Sequence, residues 1–203
     1  DLDIRGAGNL LGEEQSGHIK EVGFELYQSM LEEAIQNLKT GMTESADDER
    51  WSPQITIGMP VLIPEDYVAD LAVRLSLYRR LADLDTDDEI DNFAAELRDR
   101  FGPLPDEVRY LFKVAAIKAY CRRANVEKVD TGPKGAVISF RDNKFAQPDR
   151  LVYFIRQHGQ AARVRPDMKV VFFQNWETPE ERLTGTTEIM RQLANLAADR
   201  KAA

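Results

Sequence analysis

Apolar residues recur along this chain in two rhythms, and the change between them divides it. From Gly23 onward Phe24, Tyr27, Leu31, Ile35 and Leu38 return at helical spacing, and Gly41 offers a left-handed stop. Residues 54–59 predict a short strand, with Ile55 and Ile57 alternating, before Pro60 and Pro64 bracket an extended segment. A helix from about Asp66 places Val68, Leu71, Leu75, Tyr78 and Leu81 on one face. Thr86 and Glu89 read as a capping box for the next helix, which turns Ile90, Phe93, Leu97 and Phe101 inward. The turn Phe101-Gly102-Pro103-Leu104-Pro105 ends that helix. Because proline suits a first helical position, it also opens another, carrying Val108, Leu111, Phe112, Ala115 and Ala119.

After residue 125 the period shortens. Residues 126–131 and 136–140 read as strands joined around Gly132-Pro133-Lys134-Gly135, a hairpin signal. A helix near residues 149–158 and a strand near 168–173 follow. Thr178-Pro179-Glu180-Glu181 then combines cap, proline and box glutamate ahead of a closing helix to about Asp199. The pattern predicts an α+β fold: a helical N-terminal segment, then a compact domain of several helices and a small, mostly antiparallel sheet. The polar run MTESADDERWS over residues 42–52 has linker composition, which puts a boundary between residues 1–46 and 47–203.

Charge narrows the function. A formal net charge of -8 and a pI near 4.9 repel phosphate at long range, which disfavours a standalone nucleic-acid binder. The single Cys121 excludes an internal disulfide and suits a reducing compartment. With no signal peptide and no apolar run of membrane length, the chain reads as cytoplasmic and soluble, without a membrane partner. It opens mid-pattern, without Met, at Asp1-Leu2-Asp3-Ile4-Arg5, and so reads as part of a longer protein.

Candidate chemistry is sparse. Nothing matches GxxxxGK[ST], the loop that grips phosphate, and Gly6-Ala7-Gly8 is half a dinucleotide fingerprint with no apolar strand before it. His18 and His158 lie far apart, and Cys121 has no thiol or imidazole beside it, so no metal or other cofactor is expected in this chain. The pair Asp87-Asp88 reads as helix N-terminal charge. Residues 1–19 differ: Arg5 and Gln15 frame a stretch punctuated by Gly6, Gly8, Gly12 and Gly17. An arginine and an amide on a glycine loop suit contact with phosphate or with a moving domain. Composition alone favours a capped helical hairpin whose glycines serve packing.

The segment DLDIRGAGNLLGEEQSGHIKEVGF resembles the translocation motif that follows the last helicase motif in transcription-repair coupling factors and RecG-type helicases. The RecG type ends soon after that motif. Here the chain continues, and MPVLIPEDYVADLAVRLSLYRRLA and ELRDRFGPLPDEV resemble the C-terminal domain of the coupling factor. The resemblance implies a parent that is an ATP- and magnesium-dependent translocase of double-stranded DNA. Such a parent displaces stalled RNA polymerase and recruits the excision-repair sensor UvrA. It makes Arg5, Gly6, Gly8, Gly12 and Gln15 the translocation motif, in the tail of the second motor domain (residues 1–46). It makes residues 47–203 a regulatory domain that masks the UvrA-binding surface of an N-terminal UvrA-homology module. Glu96 matches the family's acidic masking residue, and Asp99 lies one turn on. The competing expectation is a DNA-binding accessory domain of a RecG-like helicase, supported by Arg79-Arg80 and Arg122-Arg123.

Overall fold

A computed structural model of the protein describes residues 51–59 and 61–198. The glycine-framed segment with Arg5 and Gln15, the helix expected after Gly23 and the boundary near residue 46 lie outside these residues. The described chain forms two compact units from alternating stretches. One unites Met59–Asp83 with Asn92–Leu111; the other unites residues 51–58, Leu84–Asp91 and residues 112–198.

The first unit begins with an extended run in which Val61, Leu62 and Ile63 are buried. The Ile63 amide donates to the Tyr78 hydroxyl at 2.6 Å. Helix α1 (Leu71–Ala82) starts later than the apolar pattern predicts. The chain first turns at Pro64, whose carbonyl accepts from the Tyr67 and Val68 amides at 3.1 Å each. Asp70 then caps the helix, accepting from the Val73 amide at 3.0 Å. The buried Arg74 guanidinium donates to the Val68 and Ala69 carbonyls at 2.7 and 3.0 Å, so polar groups taken from water are paired. The late start corrects the expected face: Leu77, Tyr78 and Leu81 are buried, whereas Leu71, at the first helical position, is 42% exposed and Leu75 half-buried.

Helix α2 (Asp87–Phe101) sends Phe93 and Leu97 into the same unit. It ends at Gly102, whose φ of +93° is a left-handed conformation that glycine adopts without strain. The Gly102 amide donates to the Arg98 carbonyl at 3.0 Å. The Tyr67 hydroxyl shares its proton between the Leu97 and Gly102 carbonyls, 3.1 and 2.8 Å away, satisfying acceptors that a helix end leaves open. Helix α3 (Asp106–Ala124) opens after Pro105, with Val108 and Leu111 fully buried.

The second unit is built on a five-stranded sheet. Its strands are β1 (Gln54–Thr56), β2 (Val126–Gly132), β3 (Gly135–Phe140), β4 (Ala162–Val164) and β5 (Val170–Phe173), in the order β1-β2-β3-β5-β4. Only β1–β2 is parallel. The hairpin expected around Pro133-Lys134 is present. Gly135 is obligatory there, because a Cβ would lie 1.9 Å from the Phe172 carbonyl oxygen. Strand β4, which the sequence pattern does not predict, pairs with β5 at the sheet edge. Helices α4 (Pro148–Gln157) and α5 (Pro179–Ala197) complete the unit. Register places Val129, Ile138 and Val170 across neighbouring strands, all buried, and Leu183, Met190 and Leu193 of α5 join the core.

Both expected caps are in place, with one difference. Thr178 and Glu181 make the full reciprocal box at 3.2 and 3.3 Å. At α2 the Thr86 hydroxyl accepts from the Glu89 amide at 3.1 Å, but the Glu89 carboxylate reaches past Thr86 to the Asp85 amide at 3.0 Å.

Candidate interaction surface

Glu96 lies on α2 one turn before Arg100, and the packing of α1 in the same unit brings Arg80 to it. Arg80 grips the carboxylate with both terminal nitrogens, at 2.5 and 2.8 Å, and Arg100 adds a contact at 3.2 Å. The two guanidiniums also lie over aromatic rings, Arg80 4.2 Å from the Phe93 centroid and Arg100 4.9 Å from that of Phe101. The Arg80 hydrogen bonds, chiefly, hold the Glu96 carboxyl down to about 2 from its usual 4.5, and Glu96 raises the Arg80 guanidinium in return. The Glu96 side chain is 37% exposed. Asp99 is exposed and makes no ion pair among the described residues. The two carboxylates therefore differ: Glu96 is already held by its own unit, and Asp99 is available.

The arginine pairs suggested as DNA contacts are mostly committed internally. Arg80 holds Glu96. Arg122 pairs with Asp85 at 3.2 Å and donates to the Leu84 carbonyl at 3.0 Å, and Arg123 donates to the Asp85 carbonyl. Of the four, Arg79 alone is exposed with neither an ion pair nor a side-chain hydrogen bond among the described residues. Asp87 accepts from the Tyr120 hydroxyl at 2.7 Å within the first turn of α2. His158 places Nδ1 2.8 Å from the Phe154 carbonyl and packs its ring edge-on against Phe154 and Phe172. Cys121 is fully buried. Among the described residues no three His, Cys, Asp or Glu gather in a metal-binding group, and no helix is long and apolar enough to cross a membrane. The Arg80–Glu96 pair escapes the sequence pattern because it joins different helices; the Glu96–Arg100 spacing of four was its one legible half.

The fold is that of a known α+β module. A solved structure described as the C-terminal domain of transcription-repair coupling factor superposes with a TM-score of 0.59 at 20% identity, covering 74% of this chain and 98% of that one. The TRCF domain profile matches residues 57–151. The transcription-repair-coupling factor of Rickettsia conorii is 44% identical over 174 residues, 86% of this chain, and that of Escherichia coli 36% over 194, 95% of it. The Bacillus subtilis factor is 38% identical over 149 residues. The chain belongs to the transcription-repair coupling factor family, whose name places it in DNA repair coupled to transcription. It spans 15% of the length of the Rickettsia relative and 17% of the Escherichia coli one.

Proposed function

We propose that this chain contributes the tail of the translocase motor and a regulatory interaction domain to an ATP-dependent coupling factor. In this reading Arg5, Gly6, Gly8, Gly12 and Gln15 couple ATP- and magnesium-driven closure of the motor to its grip on double-stranded DNA. The parent displaces stalled RNA polymerase and hands the site to UvrA. The compact domain docks on the N-terminal UvrA-homology module of the same protein and covers its UvrA-binding surface until the motor engages.

The observation that carries the masking role is the pair of carboxylates on α2, Asp99 exposed and Glu96 half-buried, on a helix whose apolar side is buried. Docking to a basic module adds a partner guanidinium to this surface. Asp99 meets it directly, while Glu96 must share its carboxylate with, or release, Arg80. A close charge pair at such an interface contributes strongly to affinity, and removing one member leaves the other unpaired. Glu96→Arg is a poor test, since it would bring a third guanidinium against Arg80 and Arg100. Asp99→Arg leaves that cluster intact. Calorimetry of this chain against the purified N-terminal module is expected to show binding that Asp99→Arg weakens by about tenfold or more. In the intact parent the same change is expected to increase UvrA capture. Absence of binding, or equal affinity for both forms with UvrA capture unchanged, overturns the masking role.

A further inference from the structure

Five of the six large hydrophobic side chains that the described residues leave exposed lie close together in sequence: Val152, Tyr153, Val164, Met168 and Phe173. They belong to α4, β4, β5 and the β4–β5 turn. The same stretch, residues 148–173, carries Arg150, Arg156, Arg163, Arg165 and Lys169 against only Asp149 and Asp167, in a chain whose net charge is -8. These elements are thus more apolar where exposed and more basic than the acidic chain as a whole.

The backbone at its centre is open. Among the described residues strand β4 is the last in the sheet, paired only with β5. The Arg165 amide donates to the Lys169 carbonyl at 2.8 Å, in register with Arg163 opposite Val171 and Val164 opposite Val170. Bonded and non-bonded pairs alternate along an antiparallel ladder. The N–H and C=O of Val164, like those of Ala162, therefore point away from β5, and among the described residues they meet no hydrogen-bond partner. On one face of this edge Arg163 lies over the Phe173 ring at 5.2 Å. On the other lie Val164, 47% exposed, and helix α4, which packs against β4.

We infer that the outer edge of β4 is a docking strand for an extended acidic segment of a partner protein, one that alternates carboxylate and apolar side chains. The partner's backbone completes the hydrogen bonds of Ala162 and Val164, the mode by which a peptide adds a strand to a sheet. Its apolar side chains cover Val164 and Val152, and its carboxylates meet Arg163 and Lys169, beside Arg165, which Asp167 already pairs at 2.9 Å. Nucleic acid fits less well, because it brings no amide ladder to the open backbone and no apolar side chains to Val152, Val164 and Met168.

The test is an NMR titration of the isotope-labelled full chain with a short synthetic peptide of alternating glutamate and valine. Two controls accompany it, the same peptide N-methylated at alternate residues and an oligothymidine. The expected result is amide shifts centred on Ala162–Val164, Arg165 and α4, lost on N-methylation. Val164→Pro removes the outward N–H together with the valine side chain at an edge position, where proline is tolerated, and is expected to weaken binding about tenfold or more with the remaining spectrum native. Arg163→Glu is expected to do the same through charge. The inference is overturned if the peptide shifts nothing or shifts other residues, or if the N-methylated peptide binds equally. It is also overturned if oligothymidine alone perturbs this edge, or if both variants keep wild-type affinity.

Discussion

Glu96 carries the largest electrostatic perturbation of any exposed group described. Its carboxyl sits near 2 instead of 4.5 because Arg80 donates two charge-assisted hydrogen bonds to the ionised form. A depressed carboxyl value means that the folded state favours the anion. The associated stability is fully present above 4.5 and is lost as pH falls through 2. Solvent screening at this exposed site keeps that contribution small. Carboxyl-detected NMR is expected to give a Glu96 midpoint near 2, moving up toward 4.5 in Arg80→Gln. A wild-type midpoint at the ordinary value would mean that the two-pronged grip does not persist in solution. Arg80→Lys is expected to recover part of the shift, since an ammonium keeps the charge but loses the planar fork.

Among the elements, α5 shows how one small residue can set a packing arrangement. Gly185 lies inside the helix, where alanine would ordinarily be favoured by about 1 kcal/mol. A Cβ there would come within 2.2 Å of the Trp176 ring, which is itself buried. Indole and helix can then separate only by disturbing the core, a cost of about 1–3 kcal/mol that outweighs the propensity gain. Gly185→Ala is therefore expected to lower the midpoint of chemical unfolding, with a change in Trp176 fluorescence; a stabilised variant would contradict this packing. Nothing in the apolar pattern announces that contact, whereas the caps, the Gly102 stop and the hairpin are legible because their causes lie within a few residues. Strand β4 is illegible for the opposite reason: Ala-Arg-Val is too short to establish alternation, and only its pairing with β5 makes it a strand. The start of α1 is misplaced by sequence because Pro64 and the buried Arg74 stabilise a turn that the apolar spacing of Val68 and Leu71 conceals. Of the candidate surface, the carboxylates are legible in position but not in state, since Arg80 reaches Glu96 from another helix.

At the scale of the whole molecule, Cys121 reports on opening. Its thiol is fully buried, and burial pushes it up to about 12 from 9. A raised thiol value favours the protonated folded form, so this stability is complete below 9 and fades as pH climbs toward 12. The native chain is expected to resist a thiol reagent at neutral pH, with labelling that follows unfolding as urea is raised. Labelling at the rate of a free thiol without denaturant would refute that burial. The parallel pairing of β1 with β2 has a consequence for synthesis. Gln54 registers with Lys128, so β1 leaves the ribosome about seventy residues ahead of its partner. At typical elongation rates that is a wait of roughly 4 to 15 seconds. Strand β2, by contrast, meets β3 across two residues almost as soon as both are made. The hairpin becomes the template and β1 its late addition, with Ile55 and Ile57 bare in the interval. Of the described strands the earliest made waits longest for its partner, and a pause in translation before residue 126 prolongs its exposure to chaperones and to other nascent chains.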